Sequence, residues 1–201
     1  MAYIFTGCAS TATGESAEDW EVLFERGDDL SKWKVAENPD SIRIEDGYMI
    51  CNGKRAHAFY TGKDGDTPSW KNFEAEIQFM TRDKANGGLF FHSDWQEEGW
   101  PLALECQINA THKDHRKTGS IYALGDIESP GHKDGEWVTM RLKVVDTTVT
   151  VFVNGKQTNQ WIQPEDHKLK LKRIREGTFA LQAHDPLSVV KIRSLKVRRL
   201  P

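Results

Sequence analysis

The chain reads as an all-β protein, a two-sheet antiparallel β-sandwich with long loops on one rim. Three observations predict it: period-two alternation in segment after segment, tight-turn dipeptides between segments, and a scarcity of helix signals. Phe73-Glu74-Ala75-Glu76-Ile77-Gln78-Phe79 alternates almost without fault, and Val138, Met140, Leu142 and Val144 alternate with Thr139, Arg141 and Lys143. Thr148 to Val153 is a β-branched run ended by Asn154-Gly155, a strong short hairpin signal. Ser41–Ile44 and Tyr48–Cys51 flank Asp46-Gly47, which predicts a second hairpin. Val189 opens a closing strand that runs to Val197. Only Ser16 to Glu21 offers a capping-box-like start, and no more than a turn is expected there. No repeat of solenoid or propeller length is present.

At 201 residues the chain can bury a sizeable core as one domain, placed at residues 19–201 behind a tail of residues 1–18. A formal net charge of -3 with no basic block argues against a nucleic-acid partner. No apolar run approaches the roughly 20 residues of a membrane-spanning helix. Three cysteines make no disulfide framework, and Cys106 sits among apolar strand positions. Phe5-Thr6-Gly7-Cys8 followed by small residues resembles a bacterial lipobox and its tether, but most of the preceding leader is missing. Two readings stay open: a trimmed lipoprotein anchored at Cys8, in an extracytoplasmic or periplasmic setting, or an incidental cysteine in a tail.

Two strands depart from the ordinary pattern. In Leu102 to Asn109, Leu102, Leu104, Cys106 and Ile108 form one face and Glu105, Gln107 and Asn109 the other. In Thr178 to His184, Phe179, Leu181 and Ala183 oppose Gln182 and His184. Residues i and i+2 share one side of a strand, so each carries a short polar ladder. Glu, Gln, Asn and His are not the Lys and Thr of an ordinary solvent face. The apolar partner faces predict central strands, and each ladder runs into a polar loop. Long irregular segments, Asp94–Leu102 and Asn109–Ser120, are expected to build a site beside them.

The same residues carry a resemblance. Leu23-Phe24, Asp29-Leu30-Ser31-Lys32-Trp33, Asp46-Gly47 and Asn86-Gly87-Gly88-Leu89-Phe90-Phe91-His92 come first. Gly99-Trp100-Pro101, Glu105-Cys106-Gln107-Ile108 and Lys117-Thr118-Gly119-Ser120-Ile121-Tyr122 follow. Gly135-Glu136-Trp137, Val153-Asn154-Gly155 and the run from Gly177 to Pro186 close the series. In this order, from about Leu23 to the C-terminus, they resemble the 3-keto-disaccharide hydrolase domain family. Gly87 stands where Ser is usual there, and Cys106 where Val is usual. The resemblance implies a concanavalin- or laminin-G-like jelly roll whose concave face receives a sugar. It further implies cleavage of a 3-keto glucoside or disaccharide.

That activity suits the residues. A ketone at C3 acidifies the proton on C2, so a base can remove it and the enolate can expel the C1 oxygen. Glu105 and His184 are the acid/base candidates. Gln107, Asn109 and Gln182 are expected to hold hydroxyls. His112, Lys117 and Asp185 would reach in from loops, with His92, Trp95, Trp100 or Tyr122 walling the pocket. For Trp95 and Trp100, loop anchoring is an equal reading. No cofactor is expected, although a divalent ion would stabilise an enolate and the chemistry leaves room for one. Two other readings remain: a lectin-like module without acid/base chemistry, and an ordinary glycosidase with paired carboxylates on the same fold.

Overall fold

The computed structural model describes residues 20–170 and 172–201, so the tail, Cys8 and most of the Ser16–Glu21 segment lie outside the described residues. The strands are β1 (Glu21–Glu25), β2 (Trp33–Ala36), β3 (Ile42–Glu45), β4 (Tyr48–Cys51), β5 (Ala56–Tyr60), β6 (Phe73–Thr81) and β7 (Gly87–Ser93). They continue as β8 (Leu104–Ile108), β9 (Val138–Val145), β10 (Thr148–Val153), β11 (Lys156–Ile162), β12 (Thr178–Ala183) and β13 (Val190–Arg199). One 3-10 turn spans Pro39–Ser41, and among the described residues there is no α-helix.

The strands form two antiparallel sheets in a jelly-roll sandwich. One has eight strands, ordered β11-β10-β9-β6-β13-β4-β3 with β1 also on β13; the other has five, ordered β2-β5-β12-β7-β8. Both predicted hairpins form. Asp46 and Gly47 (φ 53 and 78) join β3 to β4, and Asn154 and Gly155 (φ 50 and 79) join β10 to β11. Two successive positive φ values match the right-handed twist of the flanking strands, which is why Asn-Gly and Asp-Gly serve there.

The period-two residues meet in one core. Phe73, Ala75, Ile77 and Phe79 of β6 and Val138, Met140, Leu142 and Val144 of β9 pack with Phe179, Leu181 and Ala183 of β12 and Leu104, Cys106 and Ile108 of β8. Each large apolar side chain buried this way contributes about 1.5–3 kcal/mol. Cys51 and Cys106 are free and buried, and burial pushes the Cys51 thiol up to about 12, so both act as small apolar groups.

Two expectations need correction. Leu102 does not face the core; it is 46% exposed, because the strand begins only at Leu104. Strand β12 is central as expected, but β8 is an edge strand. Its open edge is covered by the following loop: Gln107 N–H donates to Ser120 O, Gly119 N–H to Gln107 O, and Tyr122 N–H to Glu105 O. That cover lets an edge strand carry buried polar side chains without exposing its backbone.

Candidate active site

On the outer face of the five-stranded sheet, Ala36, Phe59, Phe90, Ala103 and Ala180 form a small second apolar cluster, against which Trp95 packs. This cluster roots the β7–β8 loop on the sheet. Beside it opens a cavity of about 330 Å³ lined by Asn86, Phe90, Trp100, Pro101, Glu105, Gln107, Asp114, Tyr122, Lys172, Gln182 and His184. That volume is near the lower end of the roughly 300–1,000 Å³ typical of small-molecule sites. It suits one sugar ring.

The two polar ladders meet here. Glu105 and Gln107 come from β8, Gln182 and His184 from the end of β12, with β7 between them. The Glu105 carboxyl crosses the intervening strand over Gly88, where a Cβ would lie 2.3 Å from Glu105 Oε1. Glycine inside this strand is therefore a space requirement of Glu105. Gln182 Nε2 approaches Glu105 Oε1 at 3.4 Å, and Gln107 Nε2–H donates to Asn86 Oδ1 at 2.8 Å. The amide oxygens of Gln107 and Gln182 are buried and have no partner among the described residues. Buried acceptors are normally satisfied, so two orphans aimed along one face suit ligand hydroxyls.

Electrostatics separate the two principal side chains. Burial pushes the Glu105 carboxyl up to about 8; Lys172 opposes this and Asp114 adds to it. At neutral pH Glu105 is therefore mostly a protonated acid. His184 Nδ1 lies 2.8 Å from Asp185 Oδ2. Partial burial pushes the Asp185 carboxyl up, but hydrogen bonds from Ser188, His184 and the Leu187 and Ser188 amides outweigh it and hold it at about 2. When the His184 ring is neutral, the ionised Asp185 holds its proton on Nδ1, which leaves Nε2 as the acceptor nitrogen.

Other expected residues divide. Trp100 and Tyr122 line the cavity. Asp185 stands behind His184 rather than reaching in. His112 borders a shallower depression that shares Asn86, Asp114 and His184, its ring 5.8 Å from that of His184. Asn109 and Lys117 do not line the cavity, because both are spent on the loop. Asn109 Nδ2–H donates to Asp114 O and Arg116 O, and Lys117 Nζ–H to His112 O and Asp114 O. Trp95 lies outside the cavity, its ring 5.2 Å from Phe59 with Lys34 over it, which is the loop-anchor reading. His92 turns inward: its ring sits 5.4 Å from Phe73, and Nε2 contacts Lys71 O. Its φ of 57 and the register shift between β7 and β12 mark a bulge, which turns it away from the pocket it is expected to wall.

Asn86, Asp114, Lys172 and His57 were not marked by the sequence pattern. Asn86 and Gly88 lie in the motif that carried the resemblance, whereas Lys172 lies in a Lys-rich stretch with no distinguishing signal. Asp114 brings a second carboxylate to the cavity, from a loop rather than from the strand of Glu105. Among the described residues no three His, Cys, Asp or Glu side chains cluster as a metal site. A hard divalent ion would have to draw on Glu105 and His184 with the two orphan amide oxygens.

A candidate glycosyl hydrolase from Parabacteroides distasonis superposes with a TM-score of 0.76 at 21% identity, covering 92% of this chain and 95% of that one. A second from the same organism gives 0.68 at 22% identity, covering 90% and 99%. A carbohydrate-binding module from Bacillus subtilis gives 0.55 at 10% identity, covering 90% and 95%. These likenesses establish the jelly-roll fold. No curated protein matches the sequence. The model of the 3-keto-alpha-glucoside-1,2-lyase-like domain matches residues 19–198, nearly the whole described chain, and the protein belongs to that family.

Proposed function

We propose that this protein cleaves glycosides bearing a ketone at C3, by removing the C2 proton and expelling the C1 oxygen. His184 Nε2 takes the proton; the electron pair left on C2 delocalises onto the C3 oxygen as an enolate. Collapse of the enolate restores the ketone, forms a C1–C2 double bond and breaks the bond from C1 to the leaving oxygen. Glu105 gives that oxygen its proton. Addition of water across C1–C2 then completes hydrolysis; release before it gives the lyase product. Lys172 supplies positive charge beside the developing oxyanion, and the orphan oxygens of Gln107 and Gln182 accept sugar hydroxyls.

One arrangement carries the reading: a buried carboxyl, pushed up to about 8, lines the same one-sugar cavity as a histidine whose Nδ1 is paired with a carboxylate. The carbohydrate-binding neighbour supports a sugar as ligand. Asp114 favours a second reading, an ordinary glycosidase using Glu105 and Asp114 as its two carboxylates. Incubation with a 3-keto glucoside beside the unoxidised glucoside separates them. The proposal expects cleavage of the keto sugar alone. Comparable cleavage of both would favour the carboxylate pair, and binding of sugars without turnover of either would make the protein a lectin-like module.

A further inference from the structure

His57 is fully buried on β5, in register with Gln182, and neither of its ring nitrogens has a partner among the described residues. Its ring is enclosed by Phe90 and by Trp100, each at 5.5 Å. Trp100 is 47% exposed, stands 5.6 Å from the His184 ring, and has the Arg55 guanidinium 5.2 Å from its own ring. Arg55 pairs with Glu37 at 2.9 Å, and Glu37 Oε1 accepts the Gly99 N–H at 2.8 Å. The Trp100 side chain thus has the candidate cavity on one side and an Arg–Glu pair on the other. Below it lies an imidazole with two unused hydrogen-bonding atoms.

We infer that the Trp100 indole is a swinging partition, and that the space it covers is a second sugar subsite, floored by His57 and edged by Glu37 and Arg55, for the group that leaves the main cavity. The inference rests on the sugar-site reading above. Burying both nitrogens of an imidazole without partners is costly, so the closed arrangement favours anything that supplies hydroxyls. Burial pushes His57 down to about 4, so it is neutral at working pH and offers one donor and one acceptor. The indole gives a flat face of the kind sugar rings stack on, and the Arg–Glu pair offers donors and acceptors to neighbouring hydroxyls. Gln96 Nε2–H on Trp100 O, and Glu37 on the Gly99 amide, pin the backbone of this loop. Among the described residues the indole makes ring contacts and no hydrogen bond, so its rotation alone would open the subsite.

Titration calorimetry of the full chain with trehalose and with methyl α-glucoside tests this. The wild type should prefer the disaccharide by about tenfold, and His57→Phe, which keeps the ring and removes both nitrogens, should reduce that preference at least about threefold, the contribution of one hydrogen bond. His57→Gln should restore part of it, and melting temperatures should verify that both variants fold. A preference that survives His57→Phe, or a wild type with no preference, overturns the second subsite while leaving the first intact. If neither unoxidised sugar binds, the same comparison is made with their 3-keto forms, and absence of binding there sinks the sugar-site reading and this inference with it.

Discussion

The outer faces of the two sheets carry similar residue types and treat them in opposite ways. On the eight-stranded sheet, Glu74 is only 4% exposed yet accepts from the Arg198 guanidinium and pairs with Arg141 at 3.2 Å. Glu76 meets Lys196 at 3.0 Å, and Gln78 Oε1 accepts two bonds from Arg193. On the five-stranded sheet, Glu105 has no ion-pair partner at bonding distance among the described residues, and there Gln107, Gln182 and His57 keep unpaired buried atoms. Folding alone would favour the first arrangement. The second sacrifices stability at one patch, as an active site is expected to do.

Removing the groups themselves gives the largest expected effect. His184→Ala and Glu105→Gln should each lower turnover of a 3-keto glucoside by at least about 100-fold, since a positioned acid or base is typically worth 10²–10⁴-fold. Steady-state rates on folded variants check it. Near-normal rates in both would mean that the unsatisfied patch is not where the chemistry occurs.

The same substitution on the two faces should act on stability with opposite signs. Glu74→Gln removes the charge that two arginines share and should lower the melting temperature by roughly 4 °C or more. Glu105→Gln mimics the protonated acid that the fold already prefers. Burial raises this carboxyl from 4.5 to about 8, so across that range the folded protein keeps a proton the unfolded chain has released. Stability from this group is therefore complete below about pH 4.5 and falls as pH climbs towards 8. At pH 5 the variant should melt close to the wild type; at pH 9.5 it should melt several degrees higher. Calorimetric scans at the two pH values check both substitutions, and equal shifts on the two faces would erase the contrast.

The contrast was half legible in the sequence. Alternation located the strands, and the ladders of Glu105 and Gln107 and of Gln182 and His184 do converge on one cavity. Alternation reports which side a residue faces, not what returns to meet it. Asn109 sits on a ladder, yet loop carbonyls consume its amide. His92 is expected to wall the pocket, yet a bulge turns it inward. His57 lies in the run Ala56-His57-Ala58-Phe59-Tyr60, where a histidine amid apolar residues reads as core. Its unpartnered nitrogens appear only when β5 is placed beside β12. Lys172 and Asp114 arrive from loops, and their place depends on closure of the whole sandwich.

The central claim is that C2 loses its proton to His184. Turnover of a 3-keto glucoside in deuterium oxide, read by NMR, tests it directly. The account predicts that the original C2 proton disappears from the product, replaced by deuterium if water has added back, and that His184→Ala abolishes this exchange. Product that keeps its original C2 proton would contradict it.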